Sequence, residues 1–281
     1  MRKVSVTEIE NAVEALFIKA NYVLPESVCK AVSEARKCES DERAGEILKK
    51  LEINAETAKE GVYPICQDTG MAVVFVEIGN EVHIEGGVLP EAVNRGVARA
   101  YDKGYLRKSV VAEPFFNRVN TGNNTPAVIY TDIVPGDKIK ITAAPKGFGS
   151  ENMSKTKMFT PSAKREDIID FAVETVRAAG GNPCPPIVLG IALGGTFDYC
   201  AVLSKKALCR DISVRNANPD YAALERDILE RINETGIGPQ GFGGKTTALA
   251  VNIEYAPTHI AGLPCAINVG CHVTRHAECE I

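Results

Sequence analysis

The chain has 281 residues, 45% hydrophobic and 24% charged, with a formal net charge of −4 at pH 7. That length supports a sizeable core in one large domain or two smaller ones, and an acidic balance without a basic stripe excludes an extended nucleic-acid surface. No apolar run approaches the length of a membrane span and no apolar signal core follows Met1-Arg2-Lys3-Val4-Ser5, so a cytoplasmic protein with no membrane partner is expected.

The first sixty residues read as helical. Thr7-Glu8-Ile9-Glu10 fits a capping box, and Ile9, Val13, Leu16 and Ala20 follow at helical spacing. Pro25 opens a second helix with Val28, Ala31, Val32 and Ala35 on one face. Ser40 and Asn54 are expected to cap two shorter helices. Beyond Gly61 the texture changes. Residues 71–78 predict a buried strand, with 81–85 expected to pair with it. A helix follows over 90–103, with Gly104 as its C-cap. Two strands, 127–134 and 138–144, flank Pro135-Gly136-Asp137, which predicts a hairpin.

After the Gly-rich loop Lys146-Gly147-Phe148-Gly149-Ser150, the pattern gives a helix over 165–179 and a strand over 187–193. Helices over 198–208 and from Asn218-Pro219 to about 234 come next. A second Gly-rich loop, 238–244, precedes a last strand over 247–255. There are no repeats and no low-complexity linker. The expected fold class is mixed α/β (α+β): one domain over 1–281, helical over about 5–60, then a mixed sheet region with flanking helices over about 61–281.

Nine cysteines occur without any CxxC. In a reducing compartment they are thiols or metal ligands rather than disulfides, and the missing CxxC argues against a zinc ribbon, a ferredoxin or a thioredoxin-like site. Cys29, Cys38, Cys200 and Cys209 fall on helices or at their ends and read as small core hydrophobes. Cys265, in a loop after Gly262-Leu263-Pro264, and Cys279, two residues from the end, are weaker ligand candidates than Cys271. Cys66 (Pro64-Ile65-Cys66-Gln67-Asp68-Thr69-Gly70), Cys184 (Asn182-Pro183-Cys184-Pro185-Pro186) and Cys271 (Asn268-Val269-Gly270-Cys271-His272) each sit in a turn, where a packing role is least expected. Three thiolates, rather than four, would hold an iron–sulfur cluster and leave one iron open, which suits a Lewis acid better than an electron carrier.

Other motifs fail on inspection. Gly244-Lys245-Thr246 looks like the end of a P-loop, but the first glycine of that pattern would fall at Pro239, and a strand rather than a helix follows. Gly147-Phe148-Gly149 lacks the third glycine of a dinucleotide fingerprint, since Asn152 stands there. Each loop is either a tight turn or a set of backbone donors for an anion. The histidines, His83, His259, His272 and His276, give no HExxH pair, and GxSxG is absent. His259 reads as a loop histidine after a strand.

Several segments occur in one order: Ile65-Cys66-Gln67-Asp68-Thr69-Gly70, Leu106-Arg107, Asn120-Thr121-Gly122-Asn123-Asn124-Thr125-Pro126, Lys146-Gly147-Phe148-Gly149-Ser150-Glu151-Asn152-Met153-Ser154, Cys184-Pro185-Pro186 and Gly236-Ile237-Gly238-Pro239-Gln240-Gly241. Together they resemble the α subunit of class I, iron–sulfur-dependent fumarate hydratase, with the L-tartrate dehydratase α subunit as a close relative. The resemblance runs over about 5–276. It implies a [4Fe–4S] cluster on Cys66, Cys184 and Cys271, and a small dicarboxylate substrate met by Gln67, Asp68, Arg107, Gly149 and His259. Asp68 and His259 are the implied catalytic pair; Ser150 and Asn152 are added from loop chemistry.

Arg107 suits a distal carboxylate because a guanidinium fork matches two oxygens, and Asp68 suits a proton donor to a leaving hydroxyl. Without the resemblance, either reads as readily as a surface arginine and a turn aspartate. Single-chain relatives carry a second domain, whereas this chain stops at Ile281, so a separate β subunit is implied. Reversible hydration of fumarate to L-malate is the leading expectation, with Met71-Ala72-Val73 and the 146–150 loop closer to the fumarase branch. L-tartrate dehydration is the alternative within the class. A non-catalytic Fe–S binding or assembly protein, or a domain with all cysteines packed, are alternatives outside it.

Overall fold

In the computed structural model, which describes all 281 residues, the chain passes back and forth between two units. The first comprises Met1–Leu24, Ala55–Phe148 and Arg275–Ile281; the second comprises Pro25–Asn54 and Gly149–Thr274. The units therefore alternate along the sequence.

The first unit opens with β1 (Arg2–Ser5) and α1 (Val6–Tyr22). The capping box forms two residues earlier than the sequence suggests. Ser5 Oγ accepts from Glu8 N at 3.2 Å, and Glu8 Oε2 accepts from Ser5 N at 2.9 Å. Ile9, Val13 and Phe17 of α1 pack on Val93, Val97 and Tyr101 of α4 (Leu89–Lys103). Gly96 permits the close approach: a Cβ there would lie 2.7 Å from Glu10 O and 2.8 Å from Val13 Cβ.

The sheet beneath has the order β10-β5-β2-β4, from β2 (Met71–Gly79), β4 (Val128–Val134), β5 (Ile139–Lys146) and β10 (Ala277–Glu280). The expected hairpin is not made. β4 pairs parallel with β2 and β5 antiparallel with β2, so β2 lies between them. Pro135-Gly136-Asp137 arches over the end of β2, where Gly79 N donates to Lys138 O and Asn80 N to Val134 O, both at 2.8 Å. A Cβ on Gly79 would meet Gly136 O at 2.3 Å. β3 (Val82–Glu85) likewise departs from expectation, pairing parallel with β1 instead of with β2.

In the second unit, α2 (Glu26–Cys38) precedes α3 (Glu42–Lys59), one long helix in which Asn54 is internal rather than a cap. Asp41, not Ser40, caps it by accepting from Ala44 N at 2.8 Å. The short α5 (Phe148–Glu151) leads to a sheet of order β6-β9-β7-β8, from β6 (Lys155–Phe159), β7 (Ile187–Gly195), β8 (Ala248–Thr258) and β9 (Leu263–Gly270). α6 (Arg165–Ala179) and α8 (Pro219–Asn233) bury Ile169, Val173 and Ile228 with Leu189, Ile191 and Ile267 of the sheet. α7 (Phe197–Ala207) packs Cys200 against Ala192 and Ala266. A Cβ on Gly190 of β7 would lie 2.1 Å from Ser204 O, which fixes that spacing. Strands β1, β6, β9 and β10 have no counterpart among the expected elements. Cys265, read as a loop residue, is fully buried in β9. No helix is long and apolar enough to cross a membrane.

Candidate active site

In the first unit, the turn between α3 and β2 carries Cys66, Gln67 and Asp68. Ile65 N donates to Asn21 O at 2.9 Å and its side chain is buried, so the turn is pinned just before Cys66. The Asp68 carboxylate accepts from Gly70 N at 3.0 Å and from Phe148 N at 2.9 Å. Gly70 has φ +79, and a Cβ there would sit 2.7 Å from Lys146 N. Only glycine allows the turn to press against β5 in this way.

Three buried side chains hold the turn from beneath. Tyr101 Oη lies 2.8 Å from both Thr69 O and Gly70 O, and burial pushes its phenol far above the usual range. Asn124, in the left-handed region at φ 60, donates to Gly70 O at 3.2 Å and accepts from Ser109 N at 2.7 Å. Arg275, 5% exposed, donates to Asp68 O at 2.5 Å and to Pro145 O at 3.4 Å. Thr69 Oγ1 donates to Arg107 O at 3.0 Å, tying the Arg107 backbone to the same turn. The first unit thus carries a half-buried thiol, a fixed carboxylate and the exposed Gln67 amide on one turn, with the backbone of the exposed Arg107 tied to it.

In the second unit, Cys184 precedes β7 and Cys271 follows β9, at the same end of two paired strands. Val188 pairs with Gly270, and His272 N donates to Cys184 O at 3.2 Å. Gly149 lies beside them, since a Cβ on it would be 3.5 Å from Asn182 O. Glu151 ties this loop down, bridging Lys205 Nζ at 2.5 Å and Asn268 Nδ2 at 3.2 Å. Ser150 is buried.

His259 is not part of this group. It follows Thr258, which pairs with Gly195 at the opposite end of β7. The nine residues of β7 separate it from Cys184 by roughly 25 Å at about 3.3 Å per residue. Its Nδ1 accepts from Ala261 N at 3.1 Å on an exposed turn.

The P-loop look-alike is tied to the end of α2. Lys245 N donates to Glu39 Oε2 at 2.8 Å and Lys245 Nζ to Cys38 O at 3.2 Å, clamping the end of α2. Two other cysteines are core residues, with burial pushing Cys200 up to about 11 and Cys265 up to about 12.

No three His, Cys, Asp or Glu side chains stand close enough to hold one metal ion. Cys184 and Cys271 lie outside the core on adjoining segments, and Cys66 is half-buried beside the Asp68 carboxylate. Sequence reading missed Tyr101, Asn124, Gln240, Arg275 and the use of His272. Asn124 and Gln240 lie inside the Asn120–Pro126 and Gly236–Gly241 segments and His272 beside Cys271, though nothing local marks their contacts; Tyr101 and Arg275 stand in no motif.

Residues 10–280 match the family model described as "Fumarate hydratase (Fumerase)". A Methanocaldococcus jannaschii protein named "Putative L(+)-tartrate dehydratase subunit alpha" is 44% identical over 276 residues, covering 96% of each chain. Proteins named "L(+)-tartrate dehydratase subunit alpha" are 32% identical over 263 residues in Escherichia coli UTI89, and 31% over 256 in strain K12. These cover 92% and 90% of this chain, and 86% and 84% of the relatives. The chain belongs to the fumarate hydratase/tartrate dehydratase α-subunit family, a family of hydro-lyases.

Proposed function

We propose that this chain is the α subunit of a cytoplasmic iron–sulfur hydro-lyase that interconverts fumarate and L-malate, completed by a separate β subunit. The observation that carries this reading is the braced turn of the first unit, which fixes a ligand-type thiol, a carboxylate and the backbone of an exposed arginine together. Cys66, Cys184 and Cys271 would hold the cluster. When bound, a [4Fe–4S] cluster with three protein thiolates supplies one open iron as a Lewis acid.

The chain's own groups do the rest. Arg107 grips a substrate carboxylate through its guanidinium fork. Gln67 and the Gly149 N–H donate to substrate oxygens, each such donor contributing about 3 kcal/mol where charge develops. Asp68, held by two backbone N–H groups, exchanges a proton at the departing or arriving hydroxyl. His259 stands at the wrong end of β7 to serve a cluster on its own Cys184 and Cys271. We therefore assign its action to the site of a second copy of the chain.

L-tartrate is the second reading, supported by the names of the relatives at 44% and 32% identity. Turnover of both substrates by the co-expressed α and β subunits separates them. The first reading gives kcat/KM for L-malate at least tenfold above that for L-tartrate; the reverse ratio gives the second. Bound iron with turnover of neither substrate leaves a non-catalytic cluster protein.

A further inference from the structure

The Cys184 and Cys271 segments are joined by a polar clamp that the proposed chemistry does not by itself require. His272 N donates to Cys184 O at 3.2 Å, and His272 Nδ1 lies 3.0 Å from the same oxygen. A carbonyl only accepts, so Nδ1 carries the proton in this arrangement. One residue thus makes two bonds to the residue expected to ligate from the neighbouring segment.

Gln240 closes the clamp from the third side. Its backbone N and its side-chain Nε2 both donate to Pro185 O at 2.7 Å. Its Nε2 also lies 3.3 Å from His272 Nδ1, a packing contact and not a hydrogen bond, because both atoms are donors when Nδ1 donates to Cys184 O. Two non-glycine residues here occupy the left-handed region, Cys184 at φ 57 and Gln240 at φ 53. Each such residue costs about 1 kcal/mol or more, and persists only where surrounding bonds over-determine it. The neighbouring glycines make that geometry possible. A Cβ on Gly241 would lie 2.8 Å from Gly181 Cα, and one on Gly238 would lie 1.8 Å from Gly243 O. Cys184 N donates to Gly181 O at 3.0 Å, so the strained turn is also closed on itself.

Resting on the cluster assignment above, we infer that His272 and Gln240 are positioning residues that set the spacing between the Cys184 and Cys271 thiolates. They act on the carbonyls beside the ligands and touch neither substrate nor reacting atoms. Removing such a partner typically weakens metal holding by tenfold or more while leaving the fold intact.

The test uses the co-expressed complex prepared without oxygen. Cluster loss to an iron chelator is followed by visible absorbance, and unfolding by circular dichroism. His272→Leu and Gln240→Ala are expected to release iron about tenfold faster than wild type with an unchanged melting curve. His272→Asn, whose side-chain amide N–H takes the place of Nδ1–H, is expected to release iron within about twofold of wild type. Equal release rates for wild type and His272→Leu overturn the clamp and leave the cluster assignment standing. A faster rate that His272→Asn does not rescue also overturns it, assigning the effect to lost volume. A wild-type complex with no iron overturns both.

Discussion

The Cys66–Gly70 turn depends on Tyr101, and Tyr101→Phe isolates that dependence. The ring is 1% exposed and stays in place in the variant, so no cavity opens. Only the hydroxyl goes. Its one proton is shared between Thr69 O and Gly70 O, each 2.8 Å away. Gly70 O keeps the Asn124 amide at 3.2 Å, so the loss falls mainly on Thr69 O. One buried, shared hydrogen bond contributes about 1–1.5 kcal/mol net. With a slope of about 2 kcal/mol per molar urea, the unfolding midpoint should fall by roughly 0.6 M. Amide exchange at Gly70, whose N–H is held by Asp68, should quicken about tenfold. A midpoint shift under about 0.1 M with unchanged Gly70 exchange would refute the claim that Tyr101 braces the turn.

Other consequences follow from the same geometry. Cys200 and Cys265 should resist alkylation at pH 8 while exposed Cys38 reacts, since burial holds the first two thiols up to about 11 and about 12; mass mapping of labelled peptides reads this directly. Because those folded-state values lie above the ordinary 9.0, the thiols contribute stability that is full below about pH 9. That stability is lost as pH rises toward 11–12, so the melting temperature should fall across that window and fall less in Cys265→Ala, measured against its own value at pH 8. Gly190→Ala should cost about 3 kcal/mol or more, because its Cβ would sit 2.1 Å from Ser204 O; wild-type stability would contradict the packing of α7 on β7. Finally, His259→Ala and Cys184→Ser variants, each inactive alone, should regain activity when co-expressed in mixed assemblies. No recovery would place His259 outside the chemistry or within its own chain's site.

Local signals carried most of the helices and singled out the turns that hold Cys66, Cys184 and Cys271. The helix over 165–179 is observed as Arg165–Ala179, and Asn218 caps α8 at the predicted place by accepting from Asp220 N at 3.0 Å. Such features depend on residues three or four apart, which a sequence displays. Strand partners do not. The alternation in 127–134 and 138–144 marks two strands, yet nothing local says that β2, more than fifty residues earlier, inserts between them. β9 was hidden because Gly262 and Pro264 read as turn residues, although Pro264 sits opposite Met158 within a paired strand.

The site shows the same division. Cys66, Cys184 and Cys271 stood out by their turns, and Asp68 by its neighbour Gly70. Arg275 could not be found this way. It acts from 207 residues further along the chain, and its burial at 5% reverses the usual expectation for an arginine. His259 entered the site reading only through the resemblance; the fold sets it beyond Gly195 at the far end of β7, with β9 extended between it and Cys271.

A cluster-dependent hydro-lyase stands or falls on iron and sulfide content together with dehydration rate, measured without oxygen on the co-expressed α and β subunits. The expected result is about four iron and four sulfide per α chain, turnover of L-malate or L-tartrate, and loss of both metal and turnover in Cys184→Ser. An iron-free complex that still turns over either substrate, or a Cys184→Ser complex that keeps its metal and its rate, would contradict it.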